Sequence, residues 1–209
     1  MWSGGKDSAL ALHRARAAGR TIGCLINFYD AASQRVRFHA TRIEMIRAQA
    51  AALGLELRAV GTAWEAMPRG LEAELRSLKE DGFAGVVFGD IHLADVRAWY
   101  EERVGAAGLE HIEPLWGTRS IELLQEFVAI GGRSVLTCVN LDVLDESWLG
   151  RIIDRAFIDD IAATDADACG ENGEYHTFAF DGPMFARPVS WQPGETRRES
   201  NFAQLDLLP

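Results

Sequence analysis

The sequence is poor in cysteine, in basic runs and in long apolar runs, and each shortage closes off a class of function. Its three cysteines, Cys24, Cys138 and Cys169, stand far apart and form no CxxC pair. Neither a zinc ribbon nor a thioredoxin-like redox pair can be built from them, and an odd, sparse count suits a reducing compartment. Basic residues never run longer than a pair such as Arg197-Arg198, and the formal net charge is −10. A dedicated nucleic-acid binder carries a positive stripe or arm, so no nucleic-acid partner is expected. No apolar stretch approaches the ~20 residues that span a bilayer, and no signal-peptide pattern stands ahead of Ser3. No membrane partner is expected, and cytoplasmic residence is the default. Repeats and low-complexity tracts are also missing. What remains is an ordinary globular composition, 48% hydrophobic and 25% charged over 209 residues. That length suits one large domain, or a large one and a small one.

The most informative stretch is the start, Met1-Trp2-Ser3-Gly4-Gly5-Lys6-Asp7-Ser8, which runs straight into Ala9-Leu10-Ala11-Leu12. Two adjacent glycines let the backbone turn tightly and approach a ligand. Successive N–H groups in such a turn make an anion-binding concavity, and a helix N-terminus just behind it adds unpaired N–H groups and a positive dipole end. Lys6 supplies a mobile charge for phosphate oxygens. Asp7 would repel a bare phosphate, so beside one it makes sense as a ligand of Mg²⁺, which prefers oxygen donors. Ser3 and Ser8 bond phosphate or cap the helix. This is not the Walker loop, which needs four residues between its glycines and a hydroxyl directly after lysine. SGGKDS instead resembles the PP-loop signature of N-type ATP pyrophosphatases, which cleave ATP between the α- and β-phosphates. The plainer alternative is a Gly-rich turn capping an ordinary helix; six contiguous matching residues before an apolar helix favour nucleotide binding.

Along the chain, patterning predicts helices over 8–18, 41–53, 69–80 and 93–107, and strands over 21–29, 55–60, 84–88 and 109–112. Alternating strands and helices with short connections imply βαβ units and a parallel sheet. Ligands in such sheets sit at the carboxyl ends of the strands, which places the first loop, Asn27–Asp30 and Gly89-Asp90 on one rim. A phosphate loop of this kind should follow a strand, yet only Met1-Trp2 precede it. Omitting that central strand would leave its neighbours with unpaired edges, and the expectation is that the numbered chain starts late. Past Trp116 the texture changes. A helix over 121–130, a strand over 134–141, an acidic helix over 145–161 and a tail of short strands are predicted, with a boundary near 114–120.

A second chemical stretch, Cys169-Gly170-Glu171-Asn172-Gly173-Glu174-Tyr175-His176-Thr177-Phe178, gathers two carboxylates, an amide, a histidine and a threonine around two glycines. Glu171 and Glu174 can converge on a metal or a substrate amine, and His176 can move protons near neutral pH. Strand alternation would put Glu174 and His176 on one face. Alone, the stretch reads equally well as a polar hairpin around Asn-Gly. Together with SGGKDS it resembles the diphthine–ammonia ligase family. The stretches FHATRIEMIRAQAAALGLEL, GDIHLADVRAWYEERVGAAGLEHIEPLW and DGPMF fit too, so the resemblance covers nearly the whole chain.

That resemblance implies an α/β protein. Residues 1–115 would be a PP-loop ATP-binding domain, a doubly wound parallel sheet of the adenine-nucleotide α-hydrolase (HUP, Rossmann-like) type with its first strand truncated. Residues 116–209 would be a smaller α+β substrate-binding domain. The implied reaction uses ATP and Mg²⁺ to adenylate a carboxylate, on a protein residue or a small molecule, and ammonia then displaces AMP. Ser3, Gly4, Gly5, Lys6, Asp7, Ser8, Gly89 and Asp90 are implied at the nucleotide, with Asp7 and Asp90 on the metal. Lys6, Asp7, Glu171, Glu174 and His176 are the implied catalytic set. Arg97, Gly170, Asn172, Gly173 and Thr177 are placed at the substrate. A homodimer is compatible with the sequence. The familiar substrate is a modified histidine on a translation factor; the alanine- and arginine-rich composition would suit a high-GC bacterium, where a small acid would take its place. The competing readings are a nucleotide sensor without turnover and a PP-loop transferase of sulfur to transfer RNA, which usually wants paired cysteines and a basic surface.

The remaining polar and aromatic residues have plain readings. Cys169 reads as packed rather than nucleophilic, Cys24 and Cys138 as core, and His13 as solvated. His39 reads as a backbone-bonding histidine before the long helix. His92 is placed outside the cleft in preference to lining it, and the tryptophans at 99, 116, 148 and 191 are read as packing anchors.

Overall fold

The computed structural model describes all 209 residues. The chain enters its first helix at once: α1 (Lys6–Ala17) buries Ala9, Leu10, Ala11, Leu12 and Ala15. Strand β1 (Cys24–Asp30) follows, with a short β2 (Arg35–Val36) folded back antiparallel on its end. Helix α2 (Ile43–Leu53) is closed by Gly54 in the left-handed region, the usual glycine stop. Strand β3 (Glu56–Thr62) then runs parallel to β1, with Cys24 opposite Glu56 and Asp30 opposite Thr62. Helix α3 (Met67–Glu80) buries Leu71, Leu75 and Leu78, a helical stripe. Strand β4 (Gly85–Val87), helix α4 (Ala94–Ala106) and strand β5 (Glu110–Ile112) form a second parallel pair.

The remainder is α5 (Ser120–Ala129), β6 (Arg133–Asn140), α6 (Arg155–Ile161), β7 (Tyr175–Asp181), β8 (Gln192–Glu199) and β9 (Phe202–Leu208). Its four strands make one antiparallel sheet in the order β7-β6-β9-β8. The architecture is therefore mixed α/β, with parallel pairs first and a β-rich antiparallel part after them. The larger apolar cluster runs from α1 and α2 through α5, β6 and β7, so both parts of the chain share it. A smaller one packs α3 and α4 on β4. No helix is long and apolar enough to cross a membrane.

Two sequence expectations meet a different structure. The parallel strands stand in two pieces, β2-β1-β3 and β4-β5, rather than one continuous ladder. Met1 and Trp2 lie between them: the Trp2 amide donates to the Ile26 carbonyl at 2.8 Å, and the Met1 amino group donates to the Val87 carbonyl. The helix expected over 145–161 is broken. A 3₁₀ turn at Glu146–Trp148 leads to Gly150 at φ +75°, and Ile152 bridges to Val135 in extended form. Helix α6 starts only after Asp154, whose carboxylate accepts from the Phe157 amide at 2.8 Å. A strong N-cap and a left-handed glycine outweigh the helical periodicity around them.

Candidate active site

Gly4 turns the first loop at φ +88°, a conformation that side chains with a Cβ rarely hold. A Cβ there would also meet Ile46 Cδ1 at 2.6 Å and Gln49 Oε1 at 2.8 Å. The loop is braced from within by Ser3 Oγ and Ser8 Oγ, 2.7 Å apart. Gln49, fully buried on α2, braces it from outside: its Nε2 donates to the carbonyls of Gly4 (2.9 Å) and Ala179 (2.6 Å), and its Oε1 accepts from Trp2 Nε1 (2.8 Å). Strand β7 closes the third side. The Ala179 amide donates to the Gly4 carbonyl at 2.8 Å, and the Lys6 amide donates to Thr177 Oγ1 at 3.0 Å. Gly89, at the end of β4, lies so close that a Cβ would sit 3.1 Å from the Asp7–Ser8 backbone.

Lys6 is 3% exposed. Its ammonium is 2.9 Å from Asp7 Oδ2, donates to the Cys169 carbonyl and stands 4.9 Å from the centre of the Tyr175 ring. Burial works against its charge, but Asp7, with Tyr175 and Cys169, holds its pKa above the ordinary lysine value. The side chain therefore stays cationic at neutral pH.

The two distant motifs wall a single cleft of about 350 Å³. Ser3, Lys6, Asp7, Ser8, Gly89, Asp90, Gly170, Glu171, His176 and Thr177, ten of the residues singled out from sequence, line it. Glu171 accepts from the Ile91 amide at 2.9 Å; burial, with Asp7 and Asp90 adding, pushes its carboxyl up to about 7. Burial also raises the Asp90 carboxyl, and Asp7 reinforces it. His176 is held neutral, its pKa driven well below the usual imidazole value by burial and by His39 and Lys6. Asn27 donates to the Trp2 carbonyl at 2.8 Å, while its Oδ1 is buried in the cleft wall without a donor. No three His, Cys, Asp or Glu side chains converge as a preformed metal cage. Two carboxylates in the lining, Asp7 and Asp90, are the oxygen donors at hand there, a donor set of the kind Mg²⁺ takes when phosphates and water complete its shell.

Other expected residues sit elsewhere. Glu174 does not line the cleft with His176. It folds back into its own loop, accepting from the amides of Asp167 (2.9 Å) and Asn172 (3.0 Å) and from Asn172 Nδ2 (3.1 Å). Unpaired loop amides are costly when buried, and this carboxylate satisfies them. Asn172 and Gly173 likewise lie outside the cleft lining, as does Gly4, which acts through the loop's shape. Gly5 is also behind the lining, against His39 and Thr177. Arg97 turns away to Glu113, 3.1 Å from its Nε, and stacks on Trp116 at 4.5 Å. A buried carboxylate and an indole face compete successfully for its guanidinium.

His39 carries more than its plain reading allowed. Its Nδ1 lies 3.2 Å from the Thr177 carbonyl, its ring is 4.7 Å from that of His176, and it lines the cleft. A carbonyl only accepts, so Nδ1 carries the proton and Nε2 is left as an acceptor. Burial lowers the pKa of this ring to about 4. Its place at the head of FHATRIEMIR was the one signal in the sequence. Gln49 gave none, being a lone amide on a helix. Phe38 and Trp64 at the cleft mouth were also missed; both are exposed, with rings edge to face at 5.9 Å. Cys169 is buried, its thiol pushed up by burial and donating to the Ser120 carbonyl at 3.2 Å. Cys138 is buried and Cys24 half-buried, all three thiols being free. His92 is exposed and Trp99, Trp116, Trp148 and Trp191 are half-buried, and all five lie outside the lining.

Comparison with known proteins points to one family. Residues 1–111 match the family model described as the diphthamide synthase N-terminal domain, and residues 119–204 match its C-terminal counterpart. A Bos taurus protein named diphthine–ammonia ligase is 28% identical over 236 aligned residues, covering 99% of this chain and 87% of the relative. A Homo sapiens protein of the same name is 27% identical over 216 residues, covering 90% and 79%.

Proposed function

The chain belongs to the diphthamide synthase family, and from the geometry of the cleft we propose that it is an ATP-dependent, AMP-forming carboxylate–ammonia ligase. The observation that carries this reading is the meeting of the two motifs: Lys6 and Thr177 join across the loop, and Glu171 and Asp90 face the same space. In this reading residues 1–115 bind ATP on a doubly wound, Rossmann-like frame, residues 116–209 bind the acid, and the protein works in the cytoplasm.

The carboxylate oxygen of the acid attacks the α-phosphorus, and the bond to the β-phosphate oxygen breaks, releasing diphosphate. Ammonia then attacks the acyl carbon; the C–O bond to AMP breaks, and AMP leaves with that electron pair. The loop amides, the N-terminus of α1 and the Lys6 ammonium hold the phosphates and offset charge as it develops on the leaving diphosphate. Mg²⁺, held by Asp7 and Asp90, would neutralise phosphate charge. The attacking nitrogen must shed a proton; Glu171, poised near 7, is the acceptor within the cleft, while His176, held well below its ordinary value by burial, stays neutral. The buried Asn27 Oδ1 is left for a donor on the ligand. A buried Cys169 thiol offers no nucleophile for sulfur transfer.

The test is product identity. ATP, Mg²⁺ and ammonium are incubated with a panel of carboxylic acids, including diphthine-bearing protein, and AMP plus diphosphate is resolved from ADP plus phosphate. Acid-dependent AMP that disappears in Lys6→Ala is the expected result. ADP would overturn the α-phosphate mechanism, and tight ATP binding with no turnover on any acid would favour a nucleotide sensor.

A further inference from the structure

Only four non-glycine residues in the chain have positive φ, and three of them fall within one short segment: Gln34 (+58°), Phe38 (+62°) and Ala40 (+56°). Strain of this kind persists only where the surroundings over-determine it, and it concentrates at clamps and active sites. What over-determines it here comes from the far end of the chain. Asp206, on β9, is 5% exposed. Its Oδ1 accepts from Arg35 (2.7 Å) and from Arg42 Nε (2.9 Å), and its Oδ2 accepts from the Arg42 guanidinium at 2.7 Å. The same Arg35 nitrogen donates to the Ala40 carbonyl at 2.7 Å. One carboxylate thus ties both ends of the segment together, while the Val36 amide bonds the Thr41 carbonyl at 2.8 Å and the Ile43 amide bonds the Gln34 carbonyl at 2.9 Å.

The segment held in this way carries Phe38 and His39 into the cleft. Phe38 stays 63% exposed, edge-on to Trp64 and 6.3 Å from the His176 ring. Of the three large apolar side chains exposed anywhere in the chain, two are this adjoining pair. An exposed aromatic held in a strained backbone has no packing reason to be there. A second cavity opens at the same place and shares Val36, Arg37, Phe38, Trp64 and His176 with the cleft. The mouth is therefore walled by residues of this second cavity, to which none of Ser3–Ser8 contributes.

We propose that Asp206 is a positioning residue of the cleft: through Arg35 and Arg42 it holds residues 34–42 in the shape that presents Phe38 and His39 as the wall meeting the acid substrate. This rests on reading the cleft as a ligase site, with the nucleotide at the Ser3–Ser8 loop and the acid toward the mouth. Asp206 touches neither; it acts through the arginines. Replacing its charge should free the segment to relax, moving Phe38 and His39 without disturbing the Gln49 and Thr177 contacts that brace the phosphate loop.

The experiment compares wild type with Asp206→Asn in three ways. Amide hydrogen exchange should accelerate at least tenfold in residues 34–42 while the first loop and β7 keep their protection. The ring-proton resonances of His39 and His176 should shift, and their titrations should move toward free imidazole as the rings become hydrated. With an acid identified by the turnover assay, its KM should rise about tenfold, with kcat and ATP affinity each changing less than threefold. Unchanged exchange in 34–42, or an equal loss of ATP affinity, would overturn the proposal. If Asp206→Asn does not fold, Arg42→Lys decides by the same readouts, since it keeps the charge and loses the two-point grip. Should no acid support AMP formation, the ligase reading falls, while exchange and imidazole shifts still decide the role of Asp206.

Discussion

The Lys6 amide donates to the Thr177 hydroxyl at 3.0 Å, joining the first turn of α1 to a strand 171 residues later. One of the unpaired N–H groups of a helix start is thereby capped from another part of the fold rather than from the residue before the helix. The Ser3–Ser8 loop and the second motif are consequently one mechanical unit.

Thr177→Val keeps the shape of the side chain and removes the acceptor. A buried donor left without a partner costs about 1–3 kcal/mol, and the loop loses its tie to β7. We expect a lower melting temperature and ATP binding about tenfold weaker, with Thr177→Ser close to wild type. Nucleotide titration of the two variants checks this; equal affinities for valine and serine would show that the hydroxyl does not organise the loop.

The two glutamates of the second motif should separate in a similar comparison. Glu174 satisfies three donors of its own loop, so Glu174→Ala should destabilise the fold by about 3 kcal/mol and raise exchange in residues 166–173. Glu171 makes one such bond and faces the cleft. Glu171→Gln should melt within about 1 kcal/mol of wild type yet lose turnover. With the carboxyl at about 7, the wild-type rate should climb as pH rises through that value, because the base works in its ionised form. A Glu174→Ala protein that melts normally but turns over poorly would move the chemical role back to Glu174.

How much of this was readable beforehand follows from where the information lies. SGGKDS and GENGEYHTF stood out because tight, Gly-rich turns with polar side chains demand particular residue types at fixed spacing, and the structure brings both stretches to one cleft. The alternation of β1, α2, β3, α3 and β4 was legible because apolar periodicity reports burial directly. Side-chain direction was not. Strand alternation put Glu174 beside His176, but Glu174 precedes β7, and the unpaired amides of Asp167 and Asn172 drew its carboxylate inward. Arg97 fell within a matching stretch, yet Glu113 and Trp116, which claim it, are linked to it only by the fold. Gln49 and Asp206 were illegible for the same reason: their value is set by partners 45 to 130 and 164 to 171 positions away, respectively. The helix expected over 145–161 failed at Gly150 and Asp154, whose local chemistry overrides periodicity.

The last prediction concerns Glu113, which sits outside the cleft with a side chain only 3% exposed. Arg97 Nε is 3.1 Å from one oxygen and His111 Nε2 is 3.4 Å from the other, but neither oxygen completes a hydrogen bond. Burial raises its pKa to about 7 from 4.5; Arg97 opposes the rise, and Asp90 and Glu101 add to it. Between those two values the folded protein therefore holds a proton that the unfolded chain has given up. Its contribution to stability is complete below about 4.5 and is lost as pH rises through 7, with a limiting slope of about 1.4 kcal/mol per pH unit. Glu113→Gln keeps the shape and cannot ionise, so the difference in stability between variant and wild type should grow in the variant's favour from pH 4.5 to 7 and then level off. Denaturant unfolding of both proteins across pH 4–8 measures that difference. A difference constant with pH would mean that Arg97 and His111 hold Glu113 ionised throughout, and that the cluster is a settled ion pair rather than a proton-binding one.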